Sequence, residues 1–303
     1  MDKDPASYHI PVLLKECIEN LKIKPNGIYV DVTYGGGGHS KAILEHLGPE
    51  GSLIAFDQDP DVEANIIKDE RLIFVNSNFR FLKRYLKLHG ITEVDGILAD
   101  IGVSSHQLDK AKRGFSYSSK EFLDMRMQPG TSLTAADILN RYDPQQLLNV
   151  FSTYGEIRNA KTLTEAVVQS RSLRKYKVVP DLVATLDAVM IGDKYKYMAQ
   201  VFQALRIEVN DELGALKDLL QQGKEVLKPG GRFVVMSFHS LEDRLVKNYF
   251  KSGNFSGEHE KDFYGHIEKF FTIINKKPIE PTREELKQNP RSGSVKLRVV
   301  EKI

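Results

Sequence analysis

The stretch Ile28-Tyr-Val-Asp31-Val-Thr-Tyr-Gly35-Gly36-Gly37-Gly38-His39-Ser40 decides the fold. It reads as an apolar strand, four glycines and a helix start. Glycines let the backbone turn tightly and approach a ligand closely, and the helix that follows offers N–H groups and partial positive charge. Asp57 stands 20 residues after Gly37, at the end of the next apolar run, where a nucleoside ribose presents its hydroxyls. Outward from this stretch, six β-like runs appear: Ile28–Val32, Ser52–Phe56, Arg71–Val75, Gly96–Ala99, Arg232–Met236 and Ser294–Val300. The first five are largely apolar, as strands covered on both faces are. Helix-like segments separate the first four, Ser40–Leu47 and Phe79–His89 most clearly. This alternation predicts a doubly wound, Rossmann-like α/β fold with a parallel sheet.

The alternation stops near Asp109. From Lys110 to Tyr195 helix signals dominate: Asp143-Pro144-x-Gln146 has the form of a capped start, and Glu156–Leu173 and Pro180–Ile191 are amphipathic. The expected organisation is a core in two parts, 1–109 and 196–303, with an all-helical insertion over 110–195. The second part opens with one long helix, whose face is Met198, Val201, Phe202, Leu205, Val209, Leu213, Leu216 and Leu220. Lys228-Pro229-Gly230-Gly231 reads as its stop and a turn. Gly253–Gly265 reads as a polar loop, and Thr282-x-x-Glu285 as a capping box.

Composition sets outer bounds. The 303 residues are 41% hydrophobic and 28% charged, which excludes wholesale disorder. A single cysteine, Cys17, excludes an intramolecular disulfide and any multi-cysteine metal cluster. No apolar run approaches the ~20 residues of a membrane span, and the first residues lack a signal-peptide core, so a cytoplasmic location is expected. The net charge of +2 means that a nucleic-acid ligand would need local basic patches.

The glycine stretch also limits its ligand. No Gly-x4-Gly-Lys-[Ser/Thr] can be drawn, and Ser40 replaces the third small glycine of a dinucleotide fingerprint. Asp31, just before the loop, would repel a pyrophosphate. It would attract a sulfonium and an α-ammonium by ~1–4 kcal/mol at close range. S-adenosylmethionine carries both cations and no phosphate. The competing reading has Asp31 capping loop amides. Asp100 ends the fourth strand and opens a polar loop, Ile101-Gly-Val-Ser104-Ser105-His106-Gln107-Leu-Asp109, so Asp31, the glycines, Asp57 and Asp100 fall in one crevice at the strands' carboxyl ends. Phe79, after Asn76-Ser-Asn78, stacks on an adenine or simply starts a helix.

These and further motifs resemble the bacterial 16S ribosomal RNA (cytosine-N4)-methyltransferases. The matching text is His9-Ile-Pro-Val-Leu-Leu, Gly37-Gly38-His39-Ser40, Asp57-Gln-Asp59-Pro60, and Asp100 through Asp109. Then come Arg113-Gly114-Phe115-Ser116, Leu123-Asp124-Met125-Arg126-Met127, Phe202-Gln203-Ala204-Leu205-Arg206-Ile207-x-Val209-Asn210, Ser237-Phe238-His239-Ser240-Leu241-Glu242-Asp243-Arg244 and Asn289-Pro290-Arg291. Gly36 and His106 depart from the family's usual text. The resemblance implies a class I methyltransferase core with an inserted helical recognition domain. It implies donor contacts at Gly37, Gly38, His39, Asp57, Phe79, Asp100 and Gln107. It further implies a decoding-site cytidine of the small ribosomal subunit as acceptor, and a homodimer.

The residues restrict the chemistry independently. Pyrimidine C5 methylation needs a cysteine nucleophile, and Cys17 falls in a helix-like segment away from the strand-end motifs, as a packed apolar residue. Transfer to an exocyclic nitrogen or an oxygen remains. Asp100 is the candidate to polarise the amine or take its proton; its rival role, binding the methionyl ammonium, is the favoured one, and Ser104 and Ser105 are in reserve. His239 lines the acceptor pocket or makes a structural hydrogen bond. Ser237-x-His239 lacks the acid and the elbow of a hydrolase. Histidines 39, 106 and 239 lack metal-ligand spacing, and methyl transfer needs no metal. Basic candidates for RNA contact are Arg80, Lys83, Arg84 and Lys87; Arg171, Arg174, Lys175 and Lys177; and Lys110, Lys112 and Arg113. Two other classes compete, an NAD-dependent oxidoreductase and a non-catalytic RNA-binding assembly factor.

Overall fold

The computed structural model describes residues 11–102, 113–130, 133–261 and 263–303. The chain forms two compact units, Met1–Gly102 with Gly214–Ile303, and Val103–Leu213.

The first unit is built on seven strands: β1 Ile28–Asp31, β2 Ser52–Asp57, β3 Leu72–Asn76, β4 Val94–Asp100, β5 Leu227–Ser237, β6 Phe271–Ile273 and β7 Lys296–Lys302. Their order is β3-β2-β1-β4-β5-β7-β6. β1 to β5 are parallel, and β7 runs antiparallel to both its neighbours. Strand side chains alternate between faces, and here both faces are covered. Val30, Ile54, Phe56, Ile97 and Val235 pack with α3 (Leu82–Leu88), α9 (Glu212–Val226) and α10 (Ser240–Ser252). Tyr29, Leu53, Leu98, Val234 and Met236 pack with α1 (Leu14–Leu21) and α2 (Gly38–His46). That is why the runs read as continuously apolar.

Several local readings change in three dimensions. β6 escapes a pattern search because it has three residues, two of them exposed. Lys228–Gly231 does not precede β5 but bulges within it: Val94 pairs with Leu227, and Gly96 with Arg232. Thr282 caps α11 (Arg283–Gln288) by accepting from the Glu285 amide, but the Glu285 carboxylate accepts from the Leu13 amide at 2.7 Å instead of closing a box.

The single long helix expected over 198–220 is two. α8 (Lys194–Asn210) stops at Asp211, which adopts φ 47° and donates its N–H to Glu208 and Ile207 carbonyls. α9 then starts afresh. The apolar spacing continues across the break, so periodicity alone does not reveal it. α8 lies wholly in the second unit, since Met198, Val201, Phe202 and Leu205 share a core with Leu139, Phe151 and Leu163. The helical unit therefore extends beyond 110–195.

That unit also contains α4 (Ala135–Arg141), α5 (Pro144–Asn149), α6 (Ala160–Leu173) and α7 (Val179–Val189). Reciprocal capping boxes start α4 at Thr134/Asp137 and α5 at Asp143/Gln146. A π-helical turn, Val150–Tyr154, follows α5.

α10 is tied to β7 by a buried bidentate pair. Arg298 donates to Asp243 from Nε at 2.6 Å and from an η nitrogen at 3.1 Å. Removing Arg298 leaves buried Asp243 only the longer, half-exposed pair with Lys296 at 3.6 Å. Arg298→Met is expected to cost about 3–5 kcal/mol in urea unfolding, and Asp243→Asn combined with it less than the sum of the two single losses.

Candidate active site

β2, β1 and β4 are neighbours, and each ends in an aspartate: Asp57, Asp31 and Asp100. Three carboxylates thus converge at one end of the sheet.

Asp31 is wholly buried. One oxygen accepts from the Thr33 amide at 3.0 Å and the other from Ser40 Oγ at 2.7 Å. It clamps the two ends of the glycine loop, in line with the competing reading in which Asp31 caps the loop. Burial pushes its carboxyl pKa up, against the hydrogen bonds and His39. Its charge still acts on its neighbours, raising the pKa of both Asp57 and Asp100.

The loop turns at Gly37, with φ 76°. Gly38 opens α2, and a Cβ there would lie 2.2 Å from Pro11 Cγ. Only a bare backbone fits at either place. Asp57 accepts from the Gly35 amide at 2.8 Å and the Asp59 amide at 2.9 Å. Burial pushes its pKa up to about 6, although both amides pull it down. Each carboxylate oxygen keeps accepting capacity beyond its one amide.

The Asp100 amide donates to Thr33 Oγ1 at 2.7 Å, which fixes the end of β4 against the loop. Asp100 Oδ2 lies 3.9 Å from His39 Nδ1. Its Oδ1 is buried with no hydrogen-bond partner among the described residues. Burial raises this carboxyl to about 6; His39 opposes the shift, and Asp31 and Glu242 add to it. His39 Nε2 sits 3.2 Å from the Val12 carbonyl, which can only accept, and Nδ1 is turned toward Asp100.

Phe79 begins a 3₁₀ turn, Phe79–Phe81, whose cap Asn78 accepts from the Arg80 amide. Its ring is partly buried against the core beneath β1 and β2. The Asn78 amide donates to Gln58 Oε1 at 2.8 Å, joining this turn to the residue after Asp57. Gln107, Ser104, Ser105, His106, Lys110 and Lys112 lie outside the described residues.

His239 makes the structural hydrogen bond that one of its two readings named. It caps α10, its Nδ1 accepting from the Glu242 amide at 3.5 Å, while Glu242 Oε2 accepts from the Phe238 amide at 2.8 Å and the His239 amide at 3.3 Å. Sequence reading overlooked Glu242, which is wholly buried and biases Asp100. Its signal was present: His239-Ser-Leu-Glu242 has capping-box spacing, with histidine in the serine position. Cys17 is fully buried in α1, 3.7 Å from Met236 Sδ. It is closer to the site than its position in the chain suggested. Burial, then the Asp100 charge, raise its pKa and suppress a thiolate.

The basic groups divide similarly. Arg80 pairs with Asp218 at 2.8 Å and Lys83 with Glu225 at 2.5 Å. Arg171 donates to the Leu139 and Tyr142 carbonyls. Arg84, Lys87, Lys175 and Lys177 remain exposed.

A buried carboxylate oxygen with no partner among the described residues, set among three acids, fits a ligand bearing cations and disfavours phosphates. Parallel strands in this order with an antiparallel β7, and such a site at their carboxyl ends, define a class I S-adenosylmethionine-dependent methyltransferase. The chain matches the MraW methylase family over residues 6–303 and belongs to it. It is 50% identical over 305 residues to the ribosomal RNA small subunit methyltransferase H of Parabacteroides distasonis, with all of each chain covered. It is 52% identical over 297 residues to that of Flavobacterium johnsoniae, with 98% of each covered.

The raised acids carry a stability signature. An unfolded aspartate titrates near 3.9, and Asp57 and Asp100 near 6 when folded. The folded state therefore holds protons more tightly. Their stabilisation is full below about pH 4 and is lost as pH climbs through 6. Asp100→Asn is expected to raise the melting temperature of the ligand-free protein at pH 7.5 and to flatten its decline between pH 4 and 6, read by thermal melts across pH.

Proposed function

We propose that the chain transfers a methyl group from S-adenosylmethionine to the exocyclic N4 of a decoding-site cytidine in small-subunit ribosomal RNA. The observation that carries the donor side is the unpartnered Asp100 oxygen within an acid-lined strand end. Small-subunit ribosomal RNA as acceptor rests on the family and on the names of its relatives; the cytidine N4 and its decoding-site position rest on the motif resemblance given above. An NAD-dependent oxidoreductase is disfavoured, because Asp31 and Asp100 beside the glycine loop repel a pyrophosphate.

Bound S-adenosylmethionine supplies a methyl on a sulfonium, an activated group that needs only an aligned nucleophile. The chain's residues bind and orient. Amides at Gly37 and Gly38 and the His39 side chain border the donor, and Asp57 accepts from the ribose hydroxyls. Phe79 covers the adenine, and Gln107 completes the set that the family implies. Asp100 holds the methionyl ammonium, drawn by a site whose nearby carboxylates favour positive charge. Positioning of the two reactants supplies much of the rate. The cytidine leaves its stack to reach the donor, and exposed Arg84, Lys87, Lys175 and Lys177 are available to its phosphates. The reading places the enzyme in the cytoplasm with its ribosomal substrate. Among the described residues no helix is long and apolar enough to cross a membrane. The family also implies a homodimer, which analytical ultracentrifugation reads.

Incubation with labelled donor and small subunits lacking the modification, followed by nucleoside mass spectrometry, is expected to yield N4-methylcytidine. Another methylated nucleoside would overturn the acceptor atom. Donor binding without product on any ribosomal substrate would favour the non-catalytic factor. Asp100→Asn is expected to weaken donor binding by about 10-fold or more, the loss of one charge-assisted contact. Donor affinity of the wild type is expected to rise with pH through 6 as Asp100 ionises. A fall in kcat with unchanged donor affinity would instead make Asp100 the N4 proton acceptor.

A further inference from the structure

Between α10 and β6, residues 253–270 leave the sheet and return. Both ends of this excursion are pinned. Phe255 stacks on Tyr249 with centroids 4.9 Å apart, and Phe270 lies under the Lys224 ammonium at 3.9 Å. Asn248 donates to the Phe255 carbonyl, and Asn254 donates to the Glu258 carbonyl and accepts from the Gly257 amide. Beyond this base the chain forms a hairpin with an antiparallel bridge, Lys261 to Ile267. Its tip displays Phe263 and Tyr264 in edge-to-face contact at 5.6 Å, 97% and 81% exposed.

The contrast within one segment is informative. Aromatics at the base are spent on anchoring, and those at the tip face water. Large apolar groups held out on a fixed stem are typical anchors for a partner's pocket. The charge around them selects the partner. The hairpin carries Glu258, Glu260, Asp262 and Glu268 against Lys261 and Lys269. A polyanion is repelled by such a tip, which argues against ribosomal RNA and against an anionic lipid surface. A basic surface is attracted.

We propose that this acidic, aromatic-tipped hairpin docks on a basic protein surface of the small ribosomal subunit, Phe263 and Tyr264 filling an apolar slot and the carboxylates meeting lysines and arginines around it. This rests on the reading of function above. It assigns the hairpin to substrate recognition through protein, separate from the RNA contacts of the reaction.

The test uses the full chain with a photoreactive p-benzoylphenylalanine replacing Phe263, irradiated with small subunits. The expected product is a crosslink to a subunit protein that weakens as salt rises. Crosslinks into ribosomal RNA or a second copy of this chain, or none at all, overturn the proposal. In parallel, the double variant Phe263→Ser/Tyr264→Ser is expected to raise KM for subunits about 5-fold or more, as loss of two anchors does. Its kcat and donor affinity are expected to stay unchanged. An unchanged KM also overturns the docking. Wild-type turnover on subunits separates the two claims: without it the assigned reaction fails, whereas with it and an unaffected variant only the hairpin's role fails.

Discussion

The working end of this molecule depends on one carboxylate removed from water. Asp31 sits at the tip of β1, wholly buried, with one oxygen on the Thr33 amide and the other on the Ser40 hydroxyl. Burying an ion is unfavourable unless donors replace its water. Here the replacement donors belong to the start of the glycine loop and the first turn of α2, so the solvation of one side chain dictates the path of the loop. Asp57 and Asp100 are raised to about 6 chiefly by their own burial, and the same Asp31 charge adds to both shifts.

That arrangement opposes stability and favours binding. Three acids on adjacent strands repel one another through low-dielectric surroundings, and Glu242 adds to the field at Asp100. Such a cluster is relieved by positive charge. On the proposed reading the methyl donor brings it, as a sulfonium and an ammonium, to strand ends preorganised for a cation before one arrives. The cost is borne by a sheet packed on both faces. β7 adds an antiparallel strand whose Arg298 neutralises Asp243 of α10.

Two details show how local chemistry is reassigned by tertiary context. His239 follows a strand at the site's edge and has the look of a pocket residue, but its ring serves as a helix cap. The residue with reach into the site is Glu242, through its charge rather than by contact. Glu285 was set to close a capping box of its own, but its carboxylate holds the Leu13 amide ahead of α1, 272 residues away. In both cases the spacing in the chain named the right partners and the fold altered what each one does.

Much of the fold was legible in order. The apolar runs, the glycine stretch and the acids at strand ends are written consecutively, because each strand carries its own hydrophobic pattern and its own terminal residue. The capped helix starts at Asp143 and Thr282 were readable for the same reason, since a cap involves residues three apart. Other features had no local signature. The break at Asp211 interrupts the backbone but not the apolar period, and β6 is too short and too exposed to show alternation. The sequence by itself determined six of the seven strands, the presence of a helical insertion and which carboxylates meet at one end of the sheet. Only the tertiary structure decided that Asp31 is sealed as a clamp and that Asp100 keeps an oxygen without a partner among the described residues, because burial and the donors available to a charge are set by residues distant in the chain.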